Sequence, residues 1–215
     1  MPNLLLLGFE PFDQDIVNPS WEAVRHLDGA LLANDLRVVA RQIPCVFARA
    51  PECLGALLDE HRPALVIAAG LAPGRPDLSL ERVAINLDDA RIPDNRQQQP
   101  IDVPALEGGP AAYFTTLPIK AMVKALREAG VPASVSHTAG TFVCNHLFYH
   151  LQHALRDTPV RSGFIHVPFL PEQTARLGLD APSMALATQV EGLRIAATTA
   201  WLTGTDLKET AGRIS

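Results

Sequence analysis

A cysteine at the start of a helix is the residue in this sequence best placed to act as a nucleophile. Residues 136–153 read SHTAGTFVCNHLFYHLQH, and from Cys144 onward the apolar residues recur at helical spacing. A cysteine at a helix start lies beside unpaired backbone N–H groups and the positive end of the helix dipole. Both favour the thiolate, so the position predicts a reactive cysteine. The alternative is that Cys144 is a small buried residue of the core.

A cysteine nucleophile needs a base, and His166 is the best candidate for that role. It interrupts an apolar strand predicted over residues 162–169, so it must be hydrogen-bonded if it is buried. Ligands bind beyond the carboxyl ends of strands in open α/β sheets, and Cys144 and His166 each follow or end a predicted strand. We therefore expect both to face one crevice. The alternative for His166 is a core histidine bonded to the backbone.

Three further histidines share one face of the helix that begins near Cys144, namely His146, His150 and His153. Histidines four residues apart on a helix can bind zinc. The metalloprotease pattern, however, needs a glutamate directly after the first histidine, and Leu147 stands there. Because this face lies opposite the apolar side of the helix, we predict a solvated surface and no metal site.

Two charged pairs lie in the middle of the chain, and each has two interpretations. Glu81 and Arg82 interrupt the run LSLERVAIN. Such a pair is usually a solvated or mutually paired surface couple, and the alternative is that one of the two enters the crevice. Arg91 and Asp94 lie in DDARIPDN, where side-chain hydrogen bonds can shape a turn.

The elements that must position these side chains begin with alternating strands and helices. Strands are predicted at residues 4–7, 36–43 and 64–69, and helices from Asn18 and at 51–61. Asn18 suits a helix N-cap, and Pro19 suits the first helical position. The βαβαβ order favours a parallel sheet with helices on both faces.

The second half of the chain resumes this alternation after an irregular segment. A strand is predicted at 80–87, whereas 88–109 is polar, rich in proline and without a clear period. We predict an irregular lobe over the sheet edge for that segment and not a linker between domains. Helices at 118–129, from 144 and at 183–202, with strands near Ser134 and at 162–169, complete a single domain over residues 1–215.

Composition limits the partners of the chain. The 215 residues are 47% hydrophobic and 19% charged with a net charge of −5, which gives no reason to expect nucleic acid or an anionic membrane. No apolar segment reaches the roughly 18 residues that span a bilayer. Three cysteines predict a reducing compartment, and Cys45 and Cys53 are expected to be structural. Neither GxGxxG nor the P-loop pattern for binding phosphates is present.

Four groups of motifs then occur in order along nearly the whole chain: GFEPF with NPSW, ERVAIN with DARIPDN, AGTFVCN, and FIHVPFLPEQ. Together they resemble pyroglutamyl peptidase I, the family of pyrrolidone-carboxylate cysteine peptidases. The resemblance implies an α/β fold, a single-domain α/β/α sandwich around a twisted, largely parallel sheet. It also implies a cytoplasmic homotetramer that uses no metal or other cofactor.

The resemblance further implies an activity and the residues responsible for it. The chain would remove an N-terminal pyroglutamyl residue from peptides through a thioester on Cys144, with His166 and Glu81 completing the catalytic triad. Arg91 would assist at the oxyanion site. The walls of the small lactam pocket would be Phe9, Phe12, Phe142 and Val143.

The chain departs from the family pattern where the substrate would be recognised. The family usually has two glycines where Asp13 and Gln14 stand, and a lactam-binding glutamine where Leu71 stands. Leu71 cannot form a hydrogen bond through its side chain, so the reaction class is better supported than the substrate. Two alternatives follow: a related thiol hydrolase that acts on another cyclic or N-blocked amide, and a non-catalytic binding protein that keeps the fold.

Overall fold

A six-stranded sheet forms the centre of the molecule in the computed structural model, which describes residues 1–13 and 15–211. The strands of the described residues are β1 (Asn3–Phe9), β2 (Arg37–Ile43), β3 (Leu65–Leu71), β4 (Leu78–Glu81), β5 (Val83–Ile85), β6 (Ala112–Phe114), β7 (Ala133–Ser136) and β8 (Arg161–Val167). The main sheet has the order β2-β1-β3-β8-β4-β7, and β5 and β6 form a separate antiparallel pair. The single strand expected over residues 80–87 is therefore divided between two sheets.

The directions of the strands confirm a largely parallel sheet but correct one expectation. β2, β1, β3 and β8 run parallel, whereas β4 pairs antiparallel with β8 and parallel with β7. β7, which precedes Cys144, therefore runs opposite to β8, which carries His166. The prediction that Cys144 and His166 both lie at the carboxyl ends of strands along the same edge of the sheet was therefore wrong. The helix after β7 brings Cys144 over the sheet instead.

Helices cover both faces of the sheet, as the apolar pattern predicts. They are α1 (Pro19–Arg25), α2 (Ala50–His61), α3 (Ile119–Glu128), α4 (Val143–Leu155), α5 (Pro171–Leu177) and α6 (Leu186–Leu202). Alternate leucines of β1 face opposite layers, so Leu4 and Leu6 pack in the cluster with α1, α3 and α6, while Leu5 and Leu7 pack with α2 and α4. Each such buried side chain contributes about 1.5–3 kcal/mol, which accounts for a strand that is apolar on both faces.

The ends of two helices show how local sequence sets their position. The Asn18 side chain accepts a hydrogen bond from the Ser20 N–H, and Pro19 occupies the first helical position, as predicted. The short helix α5, absent from the sequence prediction, begins at Pro171.

None of the helices in the described part of the chain combines the length and the apolar character required to cross a bilayer.

The histidine face of α4 is largely covered by another segment of the chain, and not a free solvated surface as predicted. His146 Nδ1 lies 2.7 Å from Asp88 Oδ2, and both side chains are buried. His150 Nε2 lies 3.0 Å from the carbonyl oxygen of Ala105, and His153 Nδ1 lies 2.7 Å from the hydroxyl of Tyr113. Residues 88–113 therefore lie over this face, and the three histidines bind that segment to α4. Among the described residues, no group of three or more side chains could hold a metal ion.

Replacing His146 with leucine is expected to destabilise the protein by about 3 kcal/mol, because it leaves Asp88 buried without its partner. His150→Leu is a matched control that removes one hydrogen bond to a backbone carbonyl, with an expected loss of about 1 kcal/mol. Urea unfolding measures both. The double variant with Asp88→Leu should recover part of the stability. A His146 variant no less stable than the His150 variant would contradict a role for the buried pair.

Candidate active site

A cavity of about 310 Å³ opens at the sheet beside the end of β3 and the start of α4. Six of the predicted site residues line it: Phe9, Phe12, Arg91, Phe142, Cys144 and His166. Glu81 and Val143 do not line it, since both are fully buried, Glu81 behind His166 and Val143 in the core under α4. The structure thus brings the predicted residues into one region, although two of them lie behind the cavity surface.

Cys144 is the second residue of α4, and its sulfur lies over the sheet at Gly70. A Cβ placed on Gly70 would be 2.8 Å from Cys144 Sγ, so only glycine leaves room for the sulfur here. Gly70 pairs with His166 between β3 and β8, which places the sulfur above the strand position next to His166. Asn145 fixes the start of α4, because its side chain accepts from the N–H of Ile85 and donates to the carbonyl oxygens of Ile85 and Leu87.

His166 and Glu81 form a buried hydrogen-bonded pair. His166 Nδ1–H donates to Glu81 Oε1 over 2.7 Å, and the two residues are 3% and 0% exposed. β4 and β8 pair Ser79 with His166, so Glu81 lies on the same face two residues along and reaches the ring diagonally. This bond fixes the tautomer in which Nε2 is the acceptor nitrogen of the ring.

The charges of Cys144 and His166 differ from the sequence expectation. Burial, followed by the negative charge of Glu81, raises the pKa of the Cys144 thiol to about 12. Burial also lowers the pKa of His166, although Glu81 opposes it. The resting pair at neutral pH is therefore a thiol and a neutral imidazole. This differs from the expected resting thiolate, because burial of the sulfur disfavours its charged form.

Glu81 remains ionised despite its complete burial. Burial acts to raise its pKa, but the hydrogen bond from His166 and the positive charge of Arg75 outweigh it and hold the pKa below its ordinary value. Arg75 was not singled out from the sequence. Its Nη1 donates to Glu81 Oε1 over 2.6 Å, and its side chain also lines the cavity.

Aromatic rings form the wall of the cavity at its apolar end. The rings of Phe12 and Phe142 lie 6.0 Å apart, and Phe47 contacts Phe142 edge to face at 5.4 Å. Cys45, expected to be structural only, also lines the cavity. The Glu10 side chain connects the walls, because its Oε1 accepts from the Cys45 N–H and from Asn95 Nδ2.

The remaining predicted residues lie around the cavity mouth. Arg91 is exposed and lines the cavity, and Asp94 shapes the turn after it as predicted, accepting from the N–H groups of Arg96 and Gln98. Leu71 lines the cavity at the end of β3. Asp13 has a left-handed backbone with φ of 53°, and Gln14 lies outside the described residues.

Gly70→Ala is expected to lower kcat by about 100-fold, because the new methyl group must displace Cys144 Sγ or the Phe164 ring. Gly55→Ala on α2 is the matched control, since a Cβ there meets nothing within 4 Å. The control should keep full activity and gain up to about 1 kcal/mol of stability. Steady-state kinetics on folded protein measure kcat for both variants. A wild-type kcat in the Gly70 variant would contradict the close contact between Gly70 and the Cys144 sulfur.

Comparison with known proteins gives one consistent result. The family model for pyroglutamyl peptidase matches residues 2–202. A pyrrolidone-carboxylate peptidase of Pseudomonas fluorescens is 66% identical over 212 residues, which cover 99% of each chain. Another, of Cupriavidus taiwanensis, is 60% identical over 217 residues, which cover all of both chains.

Solved structures agree with the sequence comparison. A crystal structure of Bacillus amyloliquefaciens pyroglutamyl peptidase I superposes with a TM-score of 0.93 at 46% identity, covering 96% of this chain and 100% of that one. The pyrrolidone carboxyl peptidase of Thermococcus litoralis has a TM-score of 0.93 at 37% identity, covering 98% and 100%. The similarity therefore extends over the full length of the fold that carries the cavity.

Proposed function

The chain belongs to the pyroglutamyl peptidase family, and we propose that Cys144, His166 and Glu81 carry out its removal of N-terminal pyroglutamate from peptides. The observation that carries the proposal is the buried bond of His166 to Glu81 at the strand position beside the Cys144 sulfur. A nucleophile, a base and a carboxylate that orients the base are the three groups that this reaction requires.

The first half of the reaction forms a thioester. His166 Nε2 accepts the proton of the Cys144 thiol as the sulfur attacks the carbonyl carbon that joins pyroglutamate to the next residue. The oxyanion accepts a hydrogen bond from the Cys144 N–H in the first turn of α4, and Arg91 at the cavity mouth assists. His166 then gives its proton to the leaving amine as the C–N bond breaks.

The second half regenerates the enzyme. His166 takes a proton from a water molecule, whose oxygen attacks the thioester carbon, and the C–S bond breaks. The sulfur receives the proton and pyroglutamate leaves. Because the thiol and the imidazole are both neutral at rest, the proton moves during attack and not before the peptide arrives.

The cavity suits a small neutral ring. Pyroglutamate is a cyclic amide without charge, and the wall formed by Phe9, Phe12 and Phe142 offers it apolar surface. The volume of about 310 Å³ lies at the small end of ligand cavities, which range from about 300 to 1,000 Å³. A pocket of this kind favours a terminal lactam over a charged N-terminal residue.

A panel of amides that release one fluorescent amine tests the activity. The expected result is rapid release from the pyroglutamyl amide and release at least about 100-fold slower from the prolyl and N-acetylalanyl amides, since the apolar wall disfavours the charged prolyl amine and the small cavity suits a ring better than an open acyl chain. Faster cleavage of another cyclic or N-blocked amide would instead support a related thiol hydrolase. No release from any amide would support a binding protein.

Leu71 is the observation that favours the second candidate, because its side chain lines the cavity where the family usually has a glutamine. Leu71→Gln is expected to lower KM for the pyroglutamyl amide by about fivefold, equivalent to one hydrogen bond of about 1 kcal/mol. Leu71→Met is the control of similar volume and should leave KM unchanged. A higher KM in the glutamine variant would indicate that the cavity is adapted to a different ring.

We also propose a homotetramer that works in the cytoplasm. The three cysteines are free thiols in the structure, which suits a reducing compartment. Phe114 and Ile101 are 69% and 67% exposed, and such apolar side chains suit contacts between subunits. Light scattering during size-exclusion chromatography measures the mass, and a monomer of 23.2 kDa at micromolar concentration would contradict the tetramer.

A further inference from the structure

Arg75 contacts both the carboxylate of Glu81 and the loop that leads to Cys144. We propose that Arg75 is a positioning residue for the reaction, which holds Glu81 in the orientation that His166 needs and fixes the loop before α4. This inference rests on the proposed roles of Glu81, His166 and Cys144. Arg75 itself acts through those groups and not on the substrate.

A tight turn at the end of β3 places the Arg75 side chain. Gly74 has φ of 83°, and the Arg75 N–H donates to the Ala72 carbonyl oxygen. Proline followed by a residue with positive φ is the signature of a type II turn, so Pro73 and Gly74 fit its two central positions. The turn reverses the chain directly after the strand that lies under Cys144 Sγ. The guanidinium therefore returns to the cavity and does not extend into solvent.

The hydrogen bonds of Glu81 show why a second donor matters. Oε1 accepts from both His166 Nδ1 at 2.7 Å and Arg75 Nη1 at 2.6 Å. The other oxygen, Oε2, is buried without a hydrogen-bond partner among the described residues. Two donors on one oxygen thus fix the rotation of the carboxylate. Without Arg75 the carboxylate can turn about its last bond, and His166 loses the fixed acceptor that sets its tautomer and ring plane.

The second contact of Arg75 reaches the loop over residues 137–142. Nη2 donates to the Thr138 carbonyl oxygen over 2.8 Å, and Nη1 lies 3.2 Å from Ser136 Oγ. The far side of the loop is held by Asp89, whose N–H donates to the Thr141 carbonyl oxygen and whose carbonyl oxygen accepts from Thr141 Oγ1. The loop that ends at Cys144 is therefore fixed from both sides, and Arg75 supplies the side that also carries Glu81.

The ion pair of Arg75 with Glu81 differs from an ordinary surface pair in its burial. The Arg75 side chain is 27% exposed and the Glu81 side chain 0%. Pairs between exposed side chains contribute little because water screens them, whereas a fully buried carboxylate depends on its donors. Burial is the main cause that lowers the pKa of His166, and the positive charge of Arg75 lowers it further, which favours an imidazole able to accept a proton.

Arg75→Met tests the proposal, with Arg194→Met on α6 as the matched control, since Arg194 forms an exposed surface ion pair with Glu191. The expected kcat of Arg75→Met is about 10-fold to 100-fold below wild type, because Arg75 supports only part of the rate gain that general base catalysis provides. KM should stay within about twofold of the wild-type value. The acid limb of the kcat profile should move to higher pH, because loss of a cation raises the pKa of His166. The Arg75→Lys variant should restore the acid limb but only part of kcat, since an ammonium cannot reach Glu81 and Thr138 together.

A readout without turnover separates this inference from the proposed function. Nuclear magnetic resonance titration of the His166 ring in the Cys144→Ala background, assigned with His166→Gln, should show a higher pKa when Arg75 is also replaced. An unchanged His166 pKa together with wild-type kcat would overturn the positioning role. Lost stability in urea with an unmoved His166 pKa would assign Arg75 a structural role only. If wild type releases no pyroglutamate, the proposed function fails, and the titration still decides the role of Arg75.

Discussion

Replacing Cys144 with alanine is expected to abolish pyroglutamate release, with kcat about a million-fold lower, because a serine protease loses about that much when its nucleophile is removed. Cys45 lines the same cavity, but it follows β2, and β1 and β3 separate that strand from β8 and its His166. Without the sulfur there is no thioester, and His166 has no proton to accept. The fluorescent amine assay measures the loss directly.

Binding should survive the same replacement. The apolar wall belongs to Phe9, Phe12 and Phe142, and alanine differs from Cys144 only by one partly buried sulfur atom. Calorimetric titration with a pyroglutamyl peptide should therefore give an affinity within about threefold of the wild-type KM. The reason is that the contacts that bind the substrate in the ground state differ from those that form only in the transition state.

Cys53 supplies the control for thiol chemistry. It lies on α2, is partly exposed and does not line the cavity, so Cys53→Ala should keep wild-type kcat and KM. His166→Ala should behave as Cys144→Ala does, because the neutral thiol needs a base to become a nucleophile. Activity that persists in both the Cys144 and the His166 variants would remove the proposed mechanism, whichever amide is cleaved.

The layered fold could be predicted because its signals are local. Continuous apolar runs at β1 and β3 predict strands buried on both faces, and Asn18 with Pro19 marks a helix start within a few residues. The direction of a strand within the sheet leaves no such local signal. β4 has four residues and β7 has four, and nothing within so short a segment indicates which neighbour it pairs with. The reversal of these two strands was therefore missed.

The environment of the histidine face could not be predicted for a related reason. Spacing correctly places His146, His150 and His153 on one side of α4, but it does not indicate what covers that side. The covering segment is irregular and has no period, so its position depends on long-range contacts such as the one between Asp88 and His146. A polar helix face is solvated only if nothing packs on it.

The residues of the candidate site also differ in whether the local sequence reveals them. Cys144 could be singled out because a helix start is visible in the sequence, whereas composition and spacing left Glu81 between a surface pair and a crevice residue. Its environment depends on His166, 85 residues away, and on Arg75, in a Pro-Gly turn whose sequence indicates a loop but no role in the site. The raised pKa of the thiol likewise follows from tertiary burial, which a helix start does not reveal.

Glu81→Gln is the second replacement expected to have a large effect, a fall in kcat of about 10⁴-fold, which is the loss for the equivalent carboxylate of a serine protease. Glutamine keeps the volume of a fully buried side chain, so the fold should persist. The neutral amide does not stabilise the imidazolium that forms during attack. Its NH₂ group would lie where Oε2 is buried without a partner among the described residues, so it would lack an acceptor.

The pH dependence separates Glu81 from Arg75. Glu81 raises the pKa of His166 and Arg75 lowers it, although burial keeps the net value below the ordinary one. His166 must be neutral to accept the proton, so activity is lost as pH falls through its pKa. The residual activity of Glu81→Gln should therefore lose its acid limb at lower pH than wild type, whereas Arg75→Met should lose it at higher pH. Shifts in the same direction for both variants would show that the two residues do not act on His166 through opposite charges.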